Sequence, residues 1–229
     1  MKPTRFVTIL FVLFFTQMAY AQYPSVTFFG GANAASMSFR QGDAYTEIED
    51  SYKTLFGMNI GVLYDYVLKK DRSQELSVES GIIFDSKGFN LDVQTDVLTL
   101  KNTTTMYYMD VPLYLKYIYR FRSLNKIYFG AGPYVGLGLF GNSNITFQSG
   151  SAEQSSNSEP VWGSDEAEDD FKRLDYGVTG KIGFLMDGGF NIALSYDYGL
   201  PNVAYLDEIE EYKHRVIRLS LGYTIKFED

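Results

Sequence analysis

Near its end the sequence reads HRVIRLSLGYTIKF. Ile217, Leu219, Leu221, Tyr223, Ile225 and Phe227 alternate there with Arg218, Ser220, Gly222, Thr224 and Lys226. A side-chain period of two belongs to a β-strand whose faces meet different surroundings. The pattern recurs in TMYYMDVPLYLKYIYR (105–120), KIYFGAGPYVGLGLF (126–140) and FNIALSYDYGL (190–200). Segments 24–39, 54–68, 74–89 and 171–187 behave similarly, which makes eight strands. Three connections are tight (69–73, 121–125, 187–189). Four are long (40–53, 90–104, 141–170, 201–213). An even number of antiparallel strands with short and long connections at opposite ends is the layout of an up-and-down transmembrane β-barrel. Its short turns face the periplasm and its long loops face outside.

Alternation alone does not say which face points inward. Volume does. Eight strands enclose an interior just wide enough to be filled by side chains. The apolar faces carry too many Leu, Ile, Phe and Tyr to fit there. The opposite face, built of Gly, Ser, Asn and mixed charge, fits. Gly130, Gly132, Gly136 and Gly138 therefore line a narrow lumen. Tyr64, Tyr66, Tyr117, Tyr119 and Tyr223 sit at strand ends, where an interfacial aromatic girdle is expected. Pro112 and Pro133 fall inside strands, where each removes a ladder hydrogen bond, and are read as local bulges. The stretch 142–170 is Ser-rich and acidic, which predicts a mobile loop.

The chain opens MKPTRFVTILFVLFFTQMAYAQ. Lys2 and Arg5 precede an apolar run from Phe6 to Phe15, and Ala19 and Ala21 flank a cleavage point before Gln22. Residues 1–21 read as a cleaved secretory signal and 22–229 as the barrel domain. With no cysteine, the exported domain has no disulfide or thiolate metal site. Net charge is −8, and −10 once Lys2 and Arg5 are removed, so nucleic acid is not an expected partner.

Three stretches, YYMDVPLYLKY (107–117), IYFGAGPYVGLGL (127–139) and SYDYGLPNVA (195–204), resemble the small PorT-like "porin family" barrels of Bacteroidota. That resemblance implies an outer-membrane location and eight strands, and it implies no defined activity. Ser220, Gly222, Ile225 and Phe227 resemble the C-terminal signal read by the barrel-assembly machinery, with Glu228 and Asp229 added after the aromatic.

GLGLFG (136–141) matches G-x-G-x-x-G, but no helix follows to receive a dinucleotide phosphate, so no cofactor is expected. The inward face carries Glu79, Asp85, Lys87, Asp110, Lys116, Arg173, Asp175, Lys181, Asp197, Arg218 and Lys226. Near-balanced signs predict a salt-bridged, largely closed lumen, with a narrow or gated channel as the alternative. His214, the sole histidine, points toward the lumen near the outer rim. No serine can be placed beside it, so a lipid-modifying enzyme is only an alternative. Acidic residues crowd the outer loops: Asp43, Glu47, Glu49 and Asp50; Glu153, Glu159, Asp165, Glu166, Glu168, Asp169 and Asp170; Asp207, Glu208, Glu210 and Glu211. They fit divalent-cation bridging to anionic lipopolysaccharide or docking of a basic protein partner, without the spacing of a calcium loop, so no metal site is assigned. The expected role is non-enzymatic: structural, or partner-binding through the outer loops. A secretion-system accessory role is a further alternative, by family analogy alone.

Overall fold

The computed structural model describes residues 24–38, 52–94, 98–149, 152–163, 169–204 and 212–227. The expected signal peptide lies outside them. The strands are β1 (Ser25–Ser38), β2 (Tyr52–Lys53), β3 (Leu55–Lys70), β4 (Gln74–Gln94), β5 (Thr99–Arg120) and β6 (Lys126–Ser149). They continue with β7 (Ala152–Ser158), β8 (Trp162–Gly163), β9 (Phe171–Lys172), β10 (Leu174–Leu185), β11 (Phe190–Gly199) and β12 (Lys213–Lys226). Eight of them close a ring in the order β1, β3, β4, β5, β6, β10, β11, β12, each antiparallel to the next. The seam pairs β1 with β12 from Ser25↔Lys226 to Ser38↔Lys213. Closure leaves no strand edge in the ring, as hydrocarbon requires.

Alternate residues of each ring strand face outward. On β12 the exposed series runs Ile217, Leu219, Leu221, Tyr223, Ile225, Phe227; on β3 it includes Phe56, Met58 and Ile60. A ten-residue rise from Ile217 to Phe227 at about 3.3 Å per residue, tilted by about 40°, is close to the ~25 Å apolar band of an outer-membrane barrel. Tyr117, Tyr119 and Tyr223 are exposed near the short-turn end. Toward the other end, Tyr107 lies 4.7 Å from Phe140 and 5.8 Å from Phe84, ring centre to ring centre. The short turns are backbone-bonded. In the β10–β11 turn the Gly189 N–H donates to Met186 O at 2.9 Å, and Gly189 has φ 92°, which a side chain would strain.

Three expectations are corrected. First, residues 90–94 and 99–104 are strand rather than loop. β4 and β5 stay paired up to Gln94↔Thr99. Likewise 141–149 continues β6, which turns back into β7 at Ser149↔Ala152. Gly141 is therefore inside a strand. Above the membrane both strand faces meet water, so polar residues occupy both and the period of two disappears while backbone pairing persists. Second, the prolines cause no register shift. Pairing between β5 and β6 breaks off after Pro112↔Tyr134 and resumes in the same register at Leu115↔Ala131. Third, the bulges lie elsewhere, at Val67/Lys69 and at Tyr107/Tyr108 opposite Phe140 and Gly138. The second leaves Leu139 unpaired and moves Phe140 to the outward face, so the alternation read through Leu139 changes phase there.

Candidate functional site

The inward residues of different strands meet because the ring is narrow. They form three tiers. In the outer tier Arg218 of β12 reaches three strands: Asp85 of β4 (Nε–Oδ2 2.6 Å), Asp110 of β5 (Nη2–Oδ2 2.9 Å) and Asp197 of β11 (Nη1–Oδ2 2.6 Å). Lys87 joins Asp110 at 2.9 Å and Asp175 of β10 at 2.8 Å, with its ammonium over the rings of Tyr108 (4.6 Å) and Tyr134 (5.0 Å). Asn33 of β1 donates to Asp85 and to Ser86 O. The Thr179 hydroxyl donates to Asp197 at 2.6 Å and that of Tyr134 to Asp175 at 3.2 Å.

In the middle tier Lys116 pairs with Glu79 at 2.6 Å and with Asp65, and Lys181 pairs with Glu79. The Lys116 ammonium lies 4.7 Å from the Tyr128 ring centre and that of Lys181 4.5 Å from the Tyr114 ring centre. In the periplasmic tier Glu75 takes Arg120 on Oε1 and Lys126 on Oε2, the latter at 2.7 Å.

These side chains are buried, and a buried charge is tolerated only when paired and hydrogen-bonded. The tiers differ in sign. The outer one holds four carboxylates and two cations, the middle one two of each, and the periplasmic one has one carboxylate to two cations. The near balance in the sequence conceals an axial separation of charge.

Above the outer tier, Met37, Phe89, Met106, Tyr108, Val203, Ala204 and Tyr212 form an apolar plug with Trp162 and Phe171 against it. His214 is fully buried beside it, edge-on to Tyr108 with ring centres 5.2 Å apart. Neither imidazole nitrogen has a hydrogen-bond partner among the described residues, so no serine–histidine pair is assembled there. Below the middle tier a cavity of about 310 Å³ opens at the short-turn end. A void of about 30 Å³ lies between Arg218 and Tyr128, room for about one water.

Of the sequence-predicted residues, Glu79, Asp85, Lys87, Asp110, Lys116, Asp175, Lys181, Asp197 and Arg218 sit in the outer and middle tiers. Lys226 lines the periplasmic cavity. Arg173 stands apart: it precedes β10, is exposed, and donates to Gly138 O at 3.3 Å. It lies beyond the ring, where strand parity no longer sets direction. Asn33, Asp65, Glu75, Tyr108 and Tyr114 were missed as site residues. Asp65 shows the signal that could have found it, a lone acid at lumen parity between Tyr64 and Tyr66.

The glycine fingerprint meets carboxylates. A Cβ on Gly136 would overlap the Asp110 carboxylate and come within 3.6 Å of Asp175 Cβ, surroundings that repel a phosphate. A Cβ on Gly138 would overlap the ring of Trp162, the sole tryptophan. Gly138→Val is therefore expected to cost about 1–3 kcal/mol by overpacking. Tryptophan fluorescence checks it: the variant should emit to the red of wild type as the indole leaves the plug.

Ser220 faces inward and donates to Asn59 at 2.9 Å; Gly222 shares its face; Ile225 and Phe227 point outward. Of the acidic loop residues, Glu159, Asp169 and Asp170 are described, and Asp170 accepts the Val161 N–H at 2.8 Å. Only the backbone of Glu153 is described, and Asp43, Glu47, Glu49, Asp50, Asp165, Glu166, Glu168, Asp207, Glu208, Glu210 and Glu211 lie outside the described residues. On the outer hairpin Lys53 donates to Asp92 at 2.9 Å, which holds that carboxyl below the ordinary carboxylate range. Among the described residues no His, Asp and Glu cluster could hold a metal ion.

A family model described as "Outer membrane protein beta-barrel domain" matches residues 17–205. No curated protein matches the sequence. Among solved structures, Ail, the attachment invasion locus protein of Yersinia pestis, is 14% identical over 90% of this chain and 99% of that chain, with a TM-score of 0.36. Neisserial surface protein A is 13% identical over 90% and 96%, with a TM-score of 0.37. OprG from Pseudomonas aeruginosa is 12% identical over 91% and 98%, with a TM-score of 0.39.

Proposed function

The chain belongs to the outer membrane protein beta-barrel domain family and is an outer-membrane protein; from that premise we propose that it acts without catalysis and without conducting solutes, as a closed barrel that structures the membrane or binds a partner through its outer loops. The observation that carries this reading is the filled lumen, in which Arg218 and Lys87 tie together four carboxylates from four strands beneath an apolar plug. Such a core holds a barrel rigid and offers no hydrated path. Recognition then falls to the acidic outer segments, for a basic protein partner or, bridged by divalent cations, for anionic lipopolysaccharide. The motifs at 107–117, 127–139 and 195–204 support a PorT-like subtype, with delivery by a cleaved signal peptide. The C-terminal residues Ser220, Gly222, Ile225 and Phe227 support insertion by the barrel-assembly machinery.

Planar-bilayer recording of the purified protein tests the closed lumen. Insertion should produce no stable, repeatable open level. Reproducible unitary conductance would overturn the reading in favour of a channel.

A further inference from the structure

The cavity of about 310 Å³ at the short-turn end of the lumen has a cationic lining. Lys70, Lys116, Arg120, Lys126 and Lys226 line it against three acids, Asp65, Glu75 and Asp187. Lys116, at its inner limit, is held by Asp65 and Glu79. Nearer the mouth, Arg120 of β5 and Lys126 of β6 converge on the same carboxylate, and both Glu75 oxygens are taken. A guanidinium has five N–H donors and an ammonium three. One donor of each reaches Glu75, so most of their donors have no share in that carboxylate. These heads are not on open surface: the side chains of Lys126, Arg120 and Glu75 are 12%, 25% and 3% exposed. From β12, Lys226 adds a third cation to the same mouth, and no described residue supplies it an ion pair.

From this geometry we infer that the periplasmic vestibule is a binding site for a compact phosphate-type oxyanion, held by Arg120, Lys126 and Lys226. Three cations from three strands, with one carboxylate between them, match a tetrahedral anion of about two charges. Charge-assisted contacts of this kind are the strong ones. At about 310 Å³ the space suits a small phosphorylated group. The middle tier, with its balanced pairs, closes the inner end, so the anion enters and leaves on the periplasmic side. The inference does not depend on what the outer loops bind.

The test is calorimetric titration of the full chain, in phosphatidylcholine nanodiscs at low salt, with inorganic phosphate. Wild type should bind saturably. Lys226→Gln should weaken binding about fivefold, the scale of one partly exposed ion pair. Glu75→Gln should tighten it by a similar factor, because the competing carboxylate is gone. If Glu75→Gln does not fold, Lys226→Glu takes its place and should abolish binding. Nanodiscs containing phosphatidylglycerol separate the sources: surface repulsion weakens wild type and Lys226→Gln alike, so an unchanged ratio between them there means a soluble anion, and a ratio that falls toward one means that the lipid headgroup competes for the site. The absence of saturable binding by wild type, or equal binding by wild type and Lys226→Gln, would overturn the inference. So would a weakened, folded Glu75→Gln.

Discussion

Replacing Arg218 with methionine should destabilise the barrel by about 3–5 kcal/mol, the cost of removing one partner from a buried ionic cluster. Arg218 is 2% exposed and contacts Asp85, Asp110 and Asp197. Without it Lys87 alone faces four carboxylates, and Lys87 is already committed to Asp110 and Asp175. Methionine fills much of the volume, so the loss is of charge rather than of packing. Urea titration in detergent, read by the fraction of heat-modifiable, fast-migrating protein on gels, measures the change. Adding Asp85→Asn and Asp197→Asn to Arg218→Met should recover most of the loss, because the carboxylates left unpaired are then neutral. That non-additivity separates an electrostatic role from a cavity effect. A fall below about 1 kcal/mol for the single variant would mean that the outer tier is hydrated, contrary to a closed lumen.

A second large effect is expected on the opposite face. Leu221 lies midway along the exposed apolar series of β12, and Leu221→Arg should cost about 2–4 kcal/mol, the penalty for a lipid-facing arginine at the bilayer midplane. Phe227→Arg, at the end of the same series, should cost about 0–1 kcal/mol. The depth dependence is the informative part. In a barrel surrounded by water neither substitution would meet hydrocarbon, and both would fall within the small range of surface changes. The same gel assay after refolding into lipid vesicles gives both values.

The ring itself was legible because two solvents write on alternate residues. Ile217 to Phe227 and Tyr107 to Tyr119 had to be apolar on one side for the bilayer. Arg218 and Asp110 had to be small in number and paired on the other. Where that contrast ends, legibility ends. The upper parts of β4, β5 and β6 carry polar residues on both faces, so Asn142 to Ser149 looked like a loop although it pairs along its length. A bulge is also silent in composition: one extra residue at Leu139 reverses the direction of everything after it, and nothing in GLGLFG announces it.

The lumen was legible as a set of residues and not as an arrangement. Parity gives the face of Lys87 or Asp175 but not its height. Height depends on the register of each strand against its neighbours, as in Lys87↔Met106 and Asp175↔Gly136. Only with those registers do the four outer carboxylates separate from the cations at the periplasmic mouth. Arg173 shows the same limit from the other side: its parity matched the lumen, but it lies past the end of the ring.

The native chain has no cysteine, so single cysteines can be placed along β12 from Val216 to Ile225 and spin-labelled without background. Collision with oxygen, which partitions into lipid, and with a water-soluble nickel chelate can then be measured at each site in vesicles. A closed barrel predicts oxygen maxima at 217, 219, 221, 223 and 225. At 216, 218, 220 and 222 it predicts low collision with both reagents wherever the label is tolerated, while 224 lines the open periplasmic cavity and is left out of the comparison. Strong collision of the nickel chelate with sites 216 to 222 on the even-numbered face would reveal a water-filled lumen, and its collision with the odd-numbered sites would contradict a membrane-spanning barrel.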